Sequence, residues 1–202
     1  MSASSLGTVQ VEGFTRSAFL VRGALAAGAA YGVGAVAPFV TDALGAAADD
    51  AEIVAFALAL EQLETAFYTA ALARAHLTGD AQKLATEFGA HEAEHVKALS
   101  ELLTQLGTKP AAAAQTKFTV SDQASFLRLA VTLEDTGVAA YNGAAPLVKT
   151  PDVVLALGSI VNVEARHSAA LRMLAGQDPA PQAFDKGIAA PAVTAAVKPY
   201  IA

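Results

Sequence analysis

The sequence predicts an all-α protein whose centre is a four-helix bundle. In four long segments between residues 50 and 176, apolar residues recur at spacings of three and four, the period of an amphipathic helix. Hydrophobic residues make up 54% of the chain, and many are alanine, which favours closely packed helices. Short connections join the segments into two pairs, and one long connection joins the pairs. Helices joined by a short loop are expected to be antiparallel.

Composition excludes several classes of function. Because the chain has no cysteine, it has no disulfides, no thiolate metal ligands and no cysteine nucleophile. A formal net charge of −6 argues against general nucleic-acid binding.

Residues 1–48 differ in composition from the rest of the chain. Basic residues precede an uncharged, Ala- and Gly-rich stretch at residues 23–40, and Ala46-Ala47-Ala48 follows it. A basic start, an apolar stretch and an Ala-x-Ala site are typical of an export signal. Thr15 to Leu20 resembles the twin-arginine export motif, but Ser17 stands where the second arginine belongs. We expect export to the periplasm, the cell surface or the exterior, and a cytoplasmic location stays open.

The same segment has two other interpretations. An apolar run of about 18 residues is close to the lower limit for a membrane span, so residues 18–40 are a candidate membrane contact. Gly28 and Gly32 have the spacing that lets two helices approach closely, so the segment is also a candidate assembly helix in a homo-oligomer.

The first two predicted helices form one antiparallel pair. Helix 1 begins at Asp49-Asp50, acidic residues that suit a helix start, and ends near Thr78-Gly79. Asp80 is predicted to cap helix 2, which ends at Gly107 because glycine is a good terminator. The inward faces of the two helices carry Ile53, Ala57, Leu60, Glu61, Glu64 and Tyr68, and Phe88, Glu92, His95, Leu99 and Leu102.

The third and fourth helices form the second pair. Ser121-Asp122-Gln123 is the predicted cap of helix 3, and Asn142-Gly143 loosens its end. Helix 4 begins near Thr150-Pro151, since proline is favoured in a first turn, and Gly176 closes it. Residues 177–202 contain four prolines and are predicted to form an extended or loosely packed strap instead of a fifth helix.

The connection between the pairs is long enough to cross the bundle. About 14 residues separate Gly107 from Ser121. Fully extended, such a connection spans roughly 45 Å, whereas a helix of about 27 residues is roughly 40 Å long. We therefore expect one long crossover between helices 2 and 3.

A pattern of charged and aromatic residues occurs twice. The first copy is Leu60-Glu61, Tyr68 and Glu92-Ala-Glu-His95, and the second is Leu133-Glu134, Tyr141 and Glu164-Ala-Arg-His167. In both copies the tyrosine follows the first glutamate by 7 residues, and the Glu-x-x-His begins 31 or 30 residues after that glutamate. Glu and His at i and i+3 lie on one helical face and can reach one metal ion. Carboxylate and imidazole ligands suit iron or manganese, although zinc and copper can also bind them.

The doubled pattern on two helix pairs resembles the ferritin-like superfamily, and within it the bacterial ferritin-like, desiccation-related proteins that often carry export signals. The resemblance covers roughly residues 50–176 and implies a ferritin-like four-helix bundle at residues 49–176. An extra N-terminal apolar helix in residues 1–48 and a proline-containing C-terminal tail at residues 177–202 flank this bundle. The resemblance also implies a centre of two Fe or two Mn ions, with the ligands Glu61, Glu92, His95, Glu134, Glu164 and His167.

Several residues around this centre have more than one interpretation. Glu64 lies one turn beyond Glu61 and also faces inward, but the match to the second copy favours Glu61 as the ligand. Tyr68 and Tyr141 are either hydrogen-bond donors to a ligand, or redox-active phenols, or core aromatics with a polar tip. A bundle that has lost metal and keeps these residues as a buried hydrogen-bond network is the main alternative to a metal centre.

A second motif overlaps the first copy. His91-Glu92-Ala93-Glu94-His95 matches the H-E-x-x-H of zinc proteases, in which both histidines bind zinc and the glutamate is the general base. Val163 stands in place of the leading histidine in the second copy, and the protease motif leaves Glu134 and His167 unexplained. His91 is then expected beside the ligands or at the surface.

Three classes of function follow. The first is a redox enzyme that oxidises Fe(II) with O₂ or peroxide, or a manganese enzyme that dismutates peroxide. The second is a metal-binding protein in stress protection with slow chemistry. The third is a structural or assembly protein that uses the bundle as a building block.

Overall fold

The computed structural model describes residues 49–202, so the interpretations of residues 1–48 lie outside the described part of the chain. The described part is helical, as the sequence predicts: α1 Asp50–Arg74, α2 Gly79–Gln105, α3 Gln123–Ala144, α4 Pro151–Leu174 and α5 Ala190–Val197. Short 3₁₀ turns lie at Ala145–Leu147 and Lys198–Tyr200. The four long helices α1 to α4 form the bundle. Among the described residues, no helix has the length and apolar character needed to cross a membrane.

Capping residues set where the helices begin. At the start of α1, Asp49 accepts a hydrogen bond from the backbone N–H of Glu52 at 2.8 Å, and the Glu52 side chain accepts one from the Asp49 N–H. Asp122 caps α3 in the same way, accepting from the Ser125 N–H at 2.7 Å. The prediction that Asp80 caps α2 was wrong, because Thr78 occupies that position and Asp80 lies in the first turn.

The bundle has an apolar cluster at each end. One cluster contains Ile53, Leu99, Leu103, Val153 and Leu157, and the other contains Phe67, Phe88, Phe118, Phe126 and Leu171. The crossover at residues 106–122 follows Leu103 at one end and delivers Phe118 and Val120 into the cluster at the other end. The single long crossover is therefore confirmed.

Asp50 links the start of α1 to the start of α4 by hydrogen bonds at the same end of the bundle. It is buried at the first turn of α1, and its carboxylate accepts hydrogen bonds from the backbone N–H groups of Lys149 and Thr150, at 2.8 and 2.7 Å. These residues immediately precede α4. Burial alone would raise the pKa of Asp50, but the hydrogen bonds from Thr150 and Lys149 outweigh it and lower the pKa.

The C-terminal tail is more ordered than the sequence predicts. Pro191 lies in the first turn of α5, where its missing N–H has no helical partner to lose, so this proline begins a helix. Val193 of α5 is fully buried against Leu60 and Ala140. At Gly143 an added Cβ would lie only 2.0 Å from the carbonyl oxygen of Ile188. The tail therefore packs on the bundle through a contact that only glycine permits, and the prediction of an extended or loosely packed strap was wrong for Ala190–Val197, where α5 forms.

Candidate metal centre

A layer of charged side chains, all buried except the partly buried His95, lies between the two apolar clusters. One turn of each bundle helix supplies it: Glu61 and Glu64 from α1, Glu92 and His95 from α2, Glu134 from α3, and Glu164 and His167 from α4. The four glutamates that the repeat predicts as ligands are 0% exposed, and His167 is 2% exposed. Charged groups are rarely buried so completely unless they are paired or bind metal.

The ligand atoms converge as two overlapping groups. Within each group, one atom from every side chain lies within 4.8 Å of the others. Glu92 and Glu164, the glutamates of the two Glu-x-x-His motifs, belong to both groups. The first group is Glu61, Glu92, His95 and Glu164, and the second is Glu92, Glu134, Glu164 and His167. This cluster could hold metal ions.

Both histidines direct Nδ1 at the carboxylates. The Nδ1 of His95 lies 3.1 Å from Glu61, 3.1 Å from Glu92 and 3.0 Å from Glu164. The Nδ1 of His167 lies 3.0 Å from Oε1 of Glu92 and 3.4 Å from Oε2 of Glu134. In the protein without metal, these imidazoles are the only cations that face the layer from within residues 49–202.

The contacts raise the pKa of both imidazoles. Burial disfavours the charged form of His95, but Glu164, Glu61 and Glu92 outweigh it and raise its pKa to about 12. Burial likewise opposes the charge on His167, and Glu134 and Glu92 raise its pKa to about 10. At neutral pH both rings are therefore protonated in the metal-free protein.

The carboxylates respond unequally to their shared environment. Burial raises the pKa of Glu164 to about 8, although the close contact with His95 opposes the rise. Burial also raises the pKa of Glu61 and Glu134. At Glu92 the close contacts with His167 and His95 overcome burial and lower the pKa to about 2. Glu92 is thus the carboxylate that both histidines hold in its charged form.

Several buried atoms of the layer lack hydrogen-bond partners. Such atoms indicate whether the residues present fit a metal. Within residues 49–202, six buried side-chain atoms have no hydrogen-bond partner of acceptable geometry, and five of them belong to the ligand groups. They are Glu92 Oε1, Glu134 Oε2, both carboxylate oxygens of Glu164, and His167 Nδ1. Buried polar atoms are normally satisfied. Buried carboxylate and imidazole atoms that face one another without bonded partners fit a cation, so the residues present fit bound metal.

A family comparison agrees with the fold. A family model described as a ferritin-like domain matches residues 49–177, more than half of the chain. The chain belongs to the ferritin-like domain family. Among curated proteins, none matches it.

Solved structures share the ferritin-like fold. A conserved hypothetical protein from Mycobacterium tuberculosis superposes with a TM-score of 0.56 at 20% identity, over 62% of this chain and 96% of that one. A two-domain protein from Anabaena variabilis, with DJ-1/ThiJ/PfpI-like and ferritin-like domains, gives 0.53 at 19% identity, over 70% of this chain and 42% of that one. At these identities the likeness shows the fold alone.

The two tyrosines of the repeat connect the halves of this ferritin-like bundle. Tyr68 on α1 donates a hydrogen bond to Oε1 of Glu134 on α3, and Tyr141 on α3 donates one to Oε1 of Glu61 on α1. Both phenols are buried, and burial together with the adjacent carboxylates raises their pKa well above 10.0. Their rings also pack in the apolar clusters. Of the three interpretations of Tyr68 and Tyr141, hydrogen-bond donor and core aromatic therefore both apply, and the redox-active phenol stays a prediction.

Glu64 is a fifth buried carboxylate in the layer. It belongs to neither ligand group, although it is 3% exposed and its Oε2 has no hydrogen-bond partner among residues 49–202. Burial and the charge of Glu164 raise its pKa well above 4.5. An added Cβ at Gly137 would lie 3.1 Å from Oε1 of Glu64. Gly137 follows Glu134 by three residues, as Glu64 follows Glu61, so the two residues hold equivalent positions in the two copies of the repeat. The first copy has a carboxyl group at this position, and the glycine of the second copy leaves room for it.

The leading histidine of the protease-like motif lies outside the two ligand groups. His91 Nδ1 is 2.9 Å from Nε2 of His167, the nitrogen that faces away from the carboxylates. In a zinc protease, the two histidines of the motif would bind one ion. The neighbour of His91 here is a histidine 76 residues away on α4, a contact that no local pattern predicts.

Proposed function

We propose that this ferritin-like protein binds two iron or manganese ions and oxidises Fe(II) or consumes peroxide or O₂ in stress protection. The observation that carries the proposal is the pair of ligand groups that share Glu92 and Glu164. Two groups with two common carboxylates are the arrangement expected for two ions bridged by glutamates.

Each helix would contribute a defined part of the ligand set. Glu61 and His95 would hold one ion, and Glu134 and His167 the other. Glu92 and Glu164 would bridge them. The four carboxylates balance the charge of two divalent ions, and the two imidazoles become neutral ligands when they lose their protons.

The chain's own residues bury the carboxylates and orient them. Apolar clusters close the layer at both ends, and the ligand glutamates are fully buried. Tyr68 and Tyr141 hold one oxygen of Glu134 and Glu61, leaving the other oxygen of each directed at the centre. A bound pair of iron or manganese ions supplies the electron transfer that these side chains cannot perform.

Metal analysis tests the proposal with a matched pair of variants on α2. Glu92 is fully buried and shared by both groups, whereas Glu94 is exposed two residues away. After equilibrium dialysis against Mn²⁺ or anaerobic Fe²⁺, we expect about two ions per chain in the wild type and in Glu94→Gln. We expect a large loss of both ions in Glu92→Gln. Absence of binding in the wild type, or equal binding by the two variants, would overturn the proposal.

The reaction is tested separately from binding. Stopped-flow mixing of the Fe²⁺-loaded protein with O₂ or with peroxide, and of the Mn²⁺-loaded protein with peroxide, distinguishes the redox activities. Faster oxidant consumption by the wild type than by Glu92→Gln supports an enzyme. Equal rates would leave metal binding without oxidation and would contradict the redox part of the proposal.

We further propose that the protein is exported and assembles as a homo-oligomer, with support from residues 1–48 alone. The support for export is the basic, apolar and Ala-x-Ala order of that segment. Mass spectrometry of protein from its native host should give an N-terminus near Asp49, and an intact Met1 would contradict cleavage. Light scattering with and without residues 1–48 tests assembly, and an unchanged oligomer would contradict a role for that segment.

A further inference from the structure

His91 meets His167 edge to edge on the outer side of the metal centre. The distance from His91 Nδ1 to His167 Nε2 is 2.9 Å. The ring planes are inclined by 7° and their centroids are 5.2 Å apart. Nearly parallel planes, a short N···N distance and a long centroid separation describe two rings in a common plane, joined by an N–H···N hydrogen bond.

The surroundings determine which ring donates. The Nδ1 of His167 faces Glu92 and Glu134, so it is the nitrogen that would bind metal. Nε2 then carries the proton and donates it, and Nδ1 of His91 accepts. His91 must therefore keep its own proton on Nε2. The identity of the donor follows from contacts on the far side of the His167 ring.

Phe88 restrains the same ring from its face. The Phe88 and His167 centroids are 3.9 Å apart, with planes inclined by 23°. Phe88 limits tilting of the imidazole, but stacking alone permits a ring flip that would exchange Nδ1 and Nε2. The hydrogen bond to His91 opposes that flip, because only Nε2 can reach His91 while Nδ1 faces the carboxylates.

His95, the equivalent histidine of the first half, has no such partner. Val163 precedes Glu164 as His91 precedes Glu92, and its side chain can accept no hydrogen bond. Within residues 49–202, no protein group bonds to Nε2 of His95. A surface groove of about 530 Å³ between α2 and α4 is lined by His91, His95, Val163 and His167. The two halves of the centre are therefore unlike at their solvent side.

We propose that His91 is a positioning residue that makes the two metal positions unequal. By accepting from Nε2 of His167, it holds that ring with Nδ1 towards the centre, so the Glu134–His167 position binds its ion more tightly than the Glu61–His95 position. This inference rests on the proposed dinuclear centre. Histidine ligands generally donate their second N–H to a partner, and loss of such a partner typically costs 10- to 100-fold in metal affinity.

The chain itself supplies the test variants. His91→Val copies Val163 and removes the acceptor, whereas His91→Asn keeps an acceptor near the place of Nδ1. Glu87→Gln changes a groove residue that belongs to neither ligand group and serves as the control. Co²⁺ binding is followed by equilibrium dialysis and by visible absorption, which reports each ion's ligands. Thermal melting without metal verifies that all variants fold.

We expect His91→Val to weaken one of the two Co²⁺ equivalents by 10- to 100-fold and to leave the other unchanged. His91→Asn should recover most of the loss, and Glu87→Gln should match the wild type. Equal affinities in His91→Val and the wild type, or equal weakening of both equivalents, would overturn the role of His91 while two-ion binding stands. A wild type that binds no Co²⁺, Mn²⁺ or Fe²⁺ would overturn the dinuclear centre and this inference together.

A spectroscopic readout separates positioning from general stability. In ¹⁵N-histidine-labelled, Zn²⁺-loaded protein, we expect His167 in its Nε2–H form with a ¹⁵N–¹⁵N coupling across the bond to His91 Nδ1. The coupling should vanish in His91→Val. Its absence in the wild type, or a proton on Nδ1 of His91, would contradict the assigned hydrogen bond.

Discussion

Tyr68 on α1 donates its hydroxyl hydrogen bond to Oε1 of Glu134 on α3, while Oε2 of the same carboxylate faces His167. The reciprocal pair joins Tyr141 on α3 to Glu61 on α1. Each half of the repeat therefore orients the carboxylate of the other half. One oxygen is fixed by a phenol and the other faces a histidine of the layer.

Removing one phenol hydroxyl should destabilise the metal-free protein. In Tyr68→Phe, Oε1 of the buried Glu134 loses its donor, and an unsatisfied buried acceptor costs about 1–3 kcal/mol. Urea unfolding should show that the free energy of unfolding falls by that amount. Tyr200→Phe is the control, since Tyr200 is only half-buried and the change should stay within about 0.5 kcal/mol. Equal stabilities for Tyr68→Phe and the wild type would mean that the hydrogen bond contributes nothing.

The contact between Glu64 and Gly137 should appear as coupling between two substitutions. Replacing a glycine inside a helix by alanine normally stabilises by about 0.5–1 kcal/mol. At Gly137 the new methyl group would press on Glu64, so we expect the gain only in a Glu64→Ala background. Gly158→Ala on α4, where an added Cβ meets nothing within 4 Å, should stabilise in both backgrounds. An identical effect of Gly137→Ala in the two backgrounds would refute the contact.

Asp50 should give the fold a pH-dependent contribution. Its pKa is lowered in the folded protein, so its stabilisation is present above the unfolded value of 3.8 and is lost as pH falls through the folded pKa. Asp50→Asn should therefore reduce the free energy of unfolding at pH 7, by about 1.5–3 kcal/mol for hydrogen bonds to a charged group. The difference should shrink below about pH 4. Urea titrations at several pH values measure it, with exposed Asp152→Asn as control, and a difference that is constant with pH would contradict the assignment.

Metal binding should release protons. His95 and His167 have pKa values of about 12 and about 10 in the metal-free protein, so both are protonated at pH 7 and must lose a proton to become ligands. Glu164, with a pKa of about 8, is also largely protonated at pH 7, so we expect more than two protons released per loaded chain, and an apparent affinity that falls on acidification. Calorimetry in buffers with different ionisation enthalpies counts the protons. Binding without proton release would contradict the role of the two imidazoles.

The sequence predicted the elements of this site because they depend on local spacing. The Glu-x-x-His pairs need only one helical face, and the connection lengths predicted the helix pairing and the crossover. The choice of Glu61 over Glu64 came from matching the two copies of the repeat, and the structure brings Glu61 into a ligand group and leaves Glu64 outside.

The remaining features depend on which helices pack side by side. The tyrosines bond to glutamates 66 and 80 residues away, and His91 meets a histidine 76 residues away, so helical periodicity carries no information about these pairs. The C-terminal helix was missed for a different reason. Four prolines predicted a strap, but Pro191 lies in a first turn, and the apolar residues after it pack on Leu60 and Ala140.

The central claim is that two ions share Glu92 and Glu164, and anomalous diffraction from crystals of the Mn²⁺-loaded protein tests it most directly. We predict two anomalous peaks per chain in the layer, roughly 3.5–4 Å apart, one beside Glu61 and His95 and the other beside Glu134 and His167. A single peak, peaks outside the layer, or an empty layer in crystals grown with excess Mn²⁺ would contradict the account.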